Sequence, residues 1–268
     1  MEEYLEANRA RWDELVGIHV PSAFYDVDGF KAGRISLSPI EREELGDVAG
    51  RSLLHLQCHF GLDTLSWARL GARVTGVDFS PVAVEAARGL AAELGIDARF
   101  LCSDVYDLPQ VLEERFDIVF ASWGVICWLP DLDRWARVAS HFMAPGGTFY
   151  MAEFHPFACV FDTESESLLF RYQYFNSGEP EIFEEGRGSY ADPTAELENK
   201  VTYSWSHSMG EVVNALIAAG LSIDFLHEFA FSPEWYRPFL ELGDDGLYRM
   251  KEDHGCLPLA FSIKATKR

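Results

Sequence analysis

Two apolar runs that end on polar groups carry the most legible chemistry in this chain. The first, Leu53-Leu54-His55-Leu56-Gln57-Cys58-His59-Phe60-Gly61, passes from a buried-strand composition into a tight turn; the second, Val74-Thr75-Gly76-Val77-Asp78-Phe79, closes on a lone acid. A turn that opens a helix offers unpaired backbone N–H groups, and an acid at the tip of the next strand can accept from both hydroxyls of a ribose. The combination points to a nucleoside-bearing cofactor. His55, Cys58 and His59 also carry donor atoms that suit zinc, but consecutive positions at a strand end point in different directions and no second ligand cluster follows. No metal is expected.

Holding such groups in place takes a sheet, and the pattern supplies one between residues 50 and 267. Strands are expected at 52–57, 73–78, 98–103, 116–122 and 147–154, with helices at 63–70, 81–94, 108–114 and 132–142. Near-continuous apolar runs such as Ile118-Val119-Phe120-Ala121 indicate strands buried on both faces, hence a mostly parallel sheet. After a helix at 208–219, the runs 221–231 and 259–266 are expected to finish the sheet as an antiparallel hairpin. The fold class is therefore α/β, a doubly wound Rossmann-like sheet.

Two further segments border that sheet. Leu5, Trp12, Leu15 and Val16 share one helical face, interrupted by polar Asn8, so the chain opens with an amphipathic helix, either packed on the core or acting as a lid. A short acidic helix is expected at 39–45. Between 156 and 206 the periodicity fails and aromatic, Gly and acidic residues alternate, as in Phe170-Arg171-Tyr172-Gln173-Tyr174-Phe175; this reads as an insertion at the exit of the fifth strand, over the ligand crevice. The expected organisation is a single domain over 1–268, with an N-terminal lid segment (1–49), a cofactor-binding core (50–155), a cap insertion (156–206) and the end of the core (207–268).

Composition narrows the partners. With 268 residues, 48% hydrophobic and 14% aromatic, the chain has ample material for one large core. Its formal net charge of −21 repels phosphate backbones and anionic lipid headgroups, so neither nucleic acid nor a membrane surface is an expected partner. Five cysteines, Cys58, Cys102, Cys127, Cys159 and Cys256, are odd in number and form no C-x-x-C pair. They read as reduced thiols of a cytoplasmic protein, in keeping with an acidic start unlike a signal peptide and the lack of an apolar run of membrane-spanning length.

The order of these pieces resembles the class I S-adenosylmethionine-dependent methyltransferases. The turn after the first strand, Asp78 after the second, Ser103-Asp104-Val105 after the third, Phe116-Asp117-Ile118-Val119-Phe120-Ala121-Ser122 as the fourth and Pro145-Gly146-Gly147 before the fifth follow the family's sequence of elements. The run Leu-Gln-Cys-His-Phe-Gly is similar to bacterial members that act on small molecules. The resemblance implies S-adenosylmethionine as cofactor and S-adenosylhomocysteine as product, with Asp78 and Phe79 at the ribose, Asp104 and Val105 at the adenine, and Gln57, Cys58, His59 and Gly61 at the methionine moiety. The family's acid-x-Gly-x-Gly-x-Gly pattern falls here on His55, Gln57, His59 and Gly61, so only the last glycine is kept. Gln57 and His59 must then either take side-chain-compatible angles or hold the cofactor farther out, replacing lost backbone contacts with side-chain ones.

A sulfonium methyl is already activated, so what the reaction needs is an acceptor aligned behind it and water kept out. Aromatic faces suit the cation. Trp123 and Trp128 just past the fourth strand, with Tyr25 and Phe60, are candidates for this lining, and Ser122 ends the strand beside them. For an acceptor that must lose a proton, His155 at the exit of the fifth strand, His207 where the insertion rejoins the core, and His19 are candidate bases. The function expected is methyl transfer to oxygen or nitrogen of a small-molecule, and by its aromatic-rich cap an aromatic, acceptor. A noncatalytic protein that binds S-adenosylmethionine or another nucleoside is the alternative raised by the missing glycines, whereas the absence of G-x-G-x-x-G argues against a nicotinamide oxidoreductase.

Overall fold

The computed structural model describes residues 2–184, 187–233, 237–252 and 257–268. Its centre is a seven-stranded sheet. The first five strands, β1 (Ser52–Leu56), β2 (Arg73–Asp78), β3 (Ala98–Cys102), β4 (Phe116–Ser122) and β5 (Met143–Phe154), pair in parallel in the order β5-β4-β1-β2-β3. Residues 118–121 of β4 are fully buried, as strands covered on both faces require.

Alternation along β1 divides the interior. Leu53 joins Trp67, Ile118, Phe120 and Tyr150 on one face; Leu54 and Leu56 join Trp135, Phe142 and Phe149 on the other. The first face is covered by α4 (Leu62–Arg69) and the short α3 (Pro39–Leu45), the second by α6 (Leu132–Phe142). The helix over the β2–β3 side, α5 (Pro81–Leu94), shows why these segments become helices. Ser80 caps its start by accepting from the Ala83 N–H, Pro81 occupies the first turn, and Gly95 ends it in the left-handed conformation.

Two expected boundaries differ. In place of a helix at 108–114 there is a single 3-10 turn, Leu108–Gln110; buried Leu112 anchors the segment, and too few residues remain before β4 to complete further helical turns. β5 begins at Met143, ahead of Pro145-Gly146-Gly147, because Met143 already pairs with Phe116 and the extra residues are taken up as a register shift. Gly147 is required there. A Cβ would stand 2.8 Å from the Ala144 carbonyl oxygen and 3.1 Å from that of Phe116.

Beyond β5 the chain forms the cap. Among the described residues it contains two antiparallel pairs, β6 (Glu181–Glu184) with β9 (Val201–Ser204) and β7 (Arg187–Ser189) with β8 (Asp192–Glu196). The chain then returns through α7 (Met209–Ala218), whose capping box joins Ser208 and Glu211, to β10 (Leu221–Phe229). A small hairpin of β11 (Leu240–Leu242) and β12 (Tyr248–Met250) packs with Ala158, Val160 and Phe161 in a satellite core. The last strand, β13 (Ala260–Lys267), is antiparallel to both β5 and β10 and completes the sheet, so the mostly parallel doubly wound α/β fold with its antiparallel hairpin is present.

The opening helix, α1 (Glu2–His19), is fastened to the cap. Asn8, the polar break in its stripe, is buried and bonds the backbone of β9 at both ends: its amide donates to the Tyr203 carbonyl at 2.8 Å and its carbonyl accepts from the Tyr203 N–H at 2.8 Å. Arg11 donates to the Asn199 carbonyl, and Glu14 accepts from the N–H groups of Glu198 and Asn199. A short α2 (Val27–Lys31) then leads back to the core through buried Phe30. Cys58, Cys102, Cys127 and Cys159 are free thiols, and Cys256 lies outside the described residues. Among the described residues no helix is long and apolar enough to cross a membrane, and no three metal-type side chains cluster.

Candidate functional site

A cleft opens over the carboxyl ends of β1 to β4 and is roofed by α1, the segment around α2, and the cap. Counted out into open solvent, the space between its lining residues is about 1270 Å³. Open α/β sheets bind ligands at this edge.

The turn after β1 forms its floor. Gln57 and His59 take φ angles of 56° and 50°, and Gly61 takes 82°. The expectation of side-chain-compatible angles is thus corrected: two of the three glycine positions keep a left-handed backbone without glycine, at a cost of roughly 1–2 kcal/mol each. Tertiary bonds hold them there. The Gln57 amide donates to the Val125 carbonyl and accepts from the Trp135 indole N–H, both at 3.1 Å, so its side chain braces the turn against the core. The His59 ring meets His19, Nε2 to Nδ1, at 2.9 Å. At Gly61 the retained glycine is compulsory, since a Cβ would lie 2.7 Å from the Phe100 ring. Cys58 lines the cleft within the turn, its N–H donating to the Val77 carbonyl.

Asp78 stands at the tip of β2, 7% exposed. One oxygen accepts the His59 N–H at 2.8 Å and the other the Ser80 N–H at 2.9 Å, and burial pushes its pKa up to about 6. Each oxygen keeps acceptor capacity toward the cleft. Phe79 follows it in the wall. At the end of β3, Asp104 accepts the Tyr106 N–H at 2.7 Å, with Val105 buried beside it; burial again raises the carboxyl. The two acids therefore sit on neighbouring strands at one edge of one cleft.

The far wall is the loop after β4, with Ser122, Trp123 and Trp128 facing the space. A residue that sequence reading passed over organises it. Glu153, 1% exposed near the end of β5, accepts the N–H groups of Gly124, Val125, Ile126 and Phe154 at 2.5–3.3 Å. A lone acid in the apolar run of β5 was its one sequence signal.

The roof is aromatic. Trp12 meets Trp128 edge-on at 5.5 Å and His59 at 5.1 Å; Tyr25 packs on Phe60 at 4.8 Å, and its hydroxyl bonds that of Tyr190 from the cap. Trp12 belongs to the stripe that admits either a core or a lid placement, and here it lines the cleft; Tyr190 comes from the aromatic-rich cap. His19 is fully buried, bonded to His59 on one side and to the Ser189 hydroxyl at 2.7 Å on the other, and burial lowers its pKa to about 4.

The other two histidines lie outside the cleft's lining. His155 accepts the Phe157 N–H at Nδ1 and meets Glu228 at Nε2, while His207 donates from Nε2 to the Leu129 carbonyl at 2.7 Å. Both are buried, and desolvation lowers both pKa values against opposing hydrogen bonds. The structure thus brings the turn, Asp78, Phe79, Asp104, Val105, Ser122, Trp123 and Tyr25 to one cleft, joins His19 to it through His59, and places His155 and His207 at the seam between cap and core.

This architecture is the fold of S-adenosylmethionine-dependent methyltransferases. A structure of such an enzyme from Clostridium acetobutylicum superposes with a TM-score of 0.59 at 14% identity, over 96% of this chain and 98% of that one. The glycopeptide N-methyltransferase MtfA, solved with S-adenosyl-L-methionine, gives a TM-score of 0.56 at 18% identity over 85% and 86% of the two chains. Residues 54–151 match the family described as a methyltransferase domain. Among curated proteins, a ubiquinone biosynthesis O-methyltransferase from Xanthomonas euvesicatoria is 30% identical over 132 residues, 48% of this chain and 55% of its own length. The chain spans about half the length of the curated relatives it matches.

Proposed function

We propose that the chain is an S-adenosylmethionine-dependent methyltransferase acting on oxygen or nitrogen of a small-molecule acceptor. The observation that carries this reading is the pair Asp78 and Asp104, two recessed carboxylates with spare acceptor capacity at the ends of adjacent strands, facing one cleft with the turn after β1. Asp78 would accept the ribose hydroxyls and Asp104 the adenine amino group beside Val105, with the turn at 57–61 backing the methionine portion. When bound, the cofactor supplies an electrophilic methyl on a sulfonium. The left-handed path kept at Gln57 and His59 supports binding at this turn despite the missing glycines.

The protein's own task is alignment and exclusion of water. Trp12, Tyr25, Phe60 and Trp128 present ring faces and edges that suit a cation and exclude solvent, and the acceptor has to be held about 3–3.5 Å from the carbon it attacks. Ring-lined walls favour a planar, aromatic acceptor. Should that acceptor be a hydroxyl, His59 is a proton-accepting group in the lining, bonded behind to His19, and burial keeps both rings neutral at neutral pH. Methylation of oxygen is favoured by the O-methyltransferase names of the curated relatives.

The test is an acceptor screen over phenols and amines that reads S-adenosylhomocysteine release, alongside calorimetry with S-adenosylmethionine. Binding together with acceptor-dependent release supports the proposal. Absence of binding contradicts it.

A further inference from the structure

The family pattern puts an acid at the position occupied here by His55, and His55 supplies no negative charge. Its ring lines the cleft at 2% exposure, with Nδ1 bonded to the Thr64 hydroxyl at 2.8 Å and Nε2 without a hydrogen-bond partner among the described residues. A cationic group arriving at this end of the cleft would therefore meet a neutral imidazole.

In the first turn of α4 stands a carboxylate that has no role in the proposed function. Asp63 lines the same cleft, with one oxygen accepting from the Ser36 hydroxyl and the other from the Ser122 hydroxyl at 3.5 Å. Ser122 ends β4, so Asp63 is positioned between the ends of β1 and β4, on the opposite side of the turn from Asp78 and Asp104 on β2 and β3. Among the described residues it makes no ion pair within 4.0 Å; Arg34, which shares the wall, is tied to Asp26 and to the Tyr25 carbonyl. A recessed carboxylate bonded to two hydroxyls, with only a longer-range attraction to Arg34, is suited to an incoming cation.

We infer that Asp63 receives the α-ammonium of the cofactor's amino-acid tail, taking over from the helix start the charge that β1 has lost at His55. The inference rests on the proposed function: a nucleoside lying over β2 and β3 directs its tail toward β1 and β4, where Asp63 stands. Nothing local marks this residue out, because Leu62-Asp63 reads as an ordinary acidic first turn of a helix.

Calorimetry with two ligands isolates the claim. S-adenosylhomocysteine carries the tail, and 5′-methylthioadenosine has the same nucleoside thioether without it. In Asp63→Asn, a near-isosteric change whose oxygen accepts from one serine while its NH2 donates to the other serine's hydroxyl oxygen, the first should weaken by about tenfold or more while the second stays within about twofold. Wild type should show a similar preference for S-adenosylhomocysteine over its α-desamino analogue, a comparison that needs no variant. Equal weakening of both ligands in Asp63→Asn, unchanged binding of the first, or no preference over the desamino analogue would overturn the inference while leaving the cofactor assignment standing. Wild type that binds none of the three ligands overturns the functional reading and this inference together.

Discussion

The floor and the roof of the cleft are built in opposite ways. The floor is strand ends: Asp78 and Asp104 are delivered by consecutive parallel strands, and each is oriented by backbone N–H groups within a few residues or one strand away. The roof is a convergence of distant segments, in which Asn8 bonds Tyr203, His19 bonds Ser189, and the Tyr25 hydroxyl meets that of Tyr190. A site half fixed by the sheet and half assembled by long-range contacts can keep its cofactor geometry while its acceptor geometry changes.

Breaking the floor should have the largest effect. Asp78→Ala removes the charged acceptor at the ribose and should weaken S-adenosylmethionine binding by at least about a hundredfold, since a charge-assisted hydrogen bond of about 1.5–3 kcal/mol is lost at each hydroxyl. Calorimetry would show it, and unchanged affinity would remove Asp78 from that role. The same acid sets a pH signature. Its pKa is raised to about 6, so the ionised acceptor persists at neutral pH and is lost as the pH falls through 6, and affinity should decline over that interval; Asp104, raised in the same direction, adds to the fall.

Breaking the roof should separate the two halves. Trp128→Ala deletes a wall ring that Trp12 packs against, and the acceptor kcat/KM is expected to drop by about tenfold or more with cofactor affinity within about threefold. An equal loss of cofactor binding would erase the distinction between floor and roof.

How much of this was readable follows the same division. Every parallel strand and the helices of the core were visible from apolar runs bounded by caps, because a parallel sheet buries its strands on both faces and leaves a strong local signature. Asp78 and Asp104 were visible for the same reason, as acids closing such runs. Trp12, Asp63, Glu153 and Tyr190 gave no comparable signal, since what makes each significant is a partner more than 25 residues away, or a wall contributed by another element. Asn8 is the sharpest case. A polar break in an amphipathic stripe, it is one of the side chains that fasten α1 to the cap.

Smaller effects should follow from the joints between the halves. Asn8→Ala leaves the Tyr203 N–H and carbonyl without their partner and should cost about 1–3 kcal/mol in denaturant unfolding, with faster amide exchange across 201–204. Smaller still should be the catalytic consequence of His207→Ala. The ring lies outside the lining and donates to the carbonyl of Leu129, a lining residue, so turnover per folded molecule should stay within about twofold while stability falls by about 1–2 kcal/mol. A selective fall in turnover at unchanged stability would instead move His207 into the chemistry.

The most direct test of the central claim is a difference electron-density map of crystals grown with S-adenosylhomocysteine. The account predicts ribose density against the Asp78 carboxylate and adenine density beside Asp104 and Val105, with the turn at 57–61 in its present left-handed path. Density elsewhere, or a cleft that stays empty while Gln57 and His59 swing into it, would contradict the account.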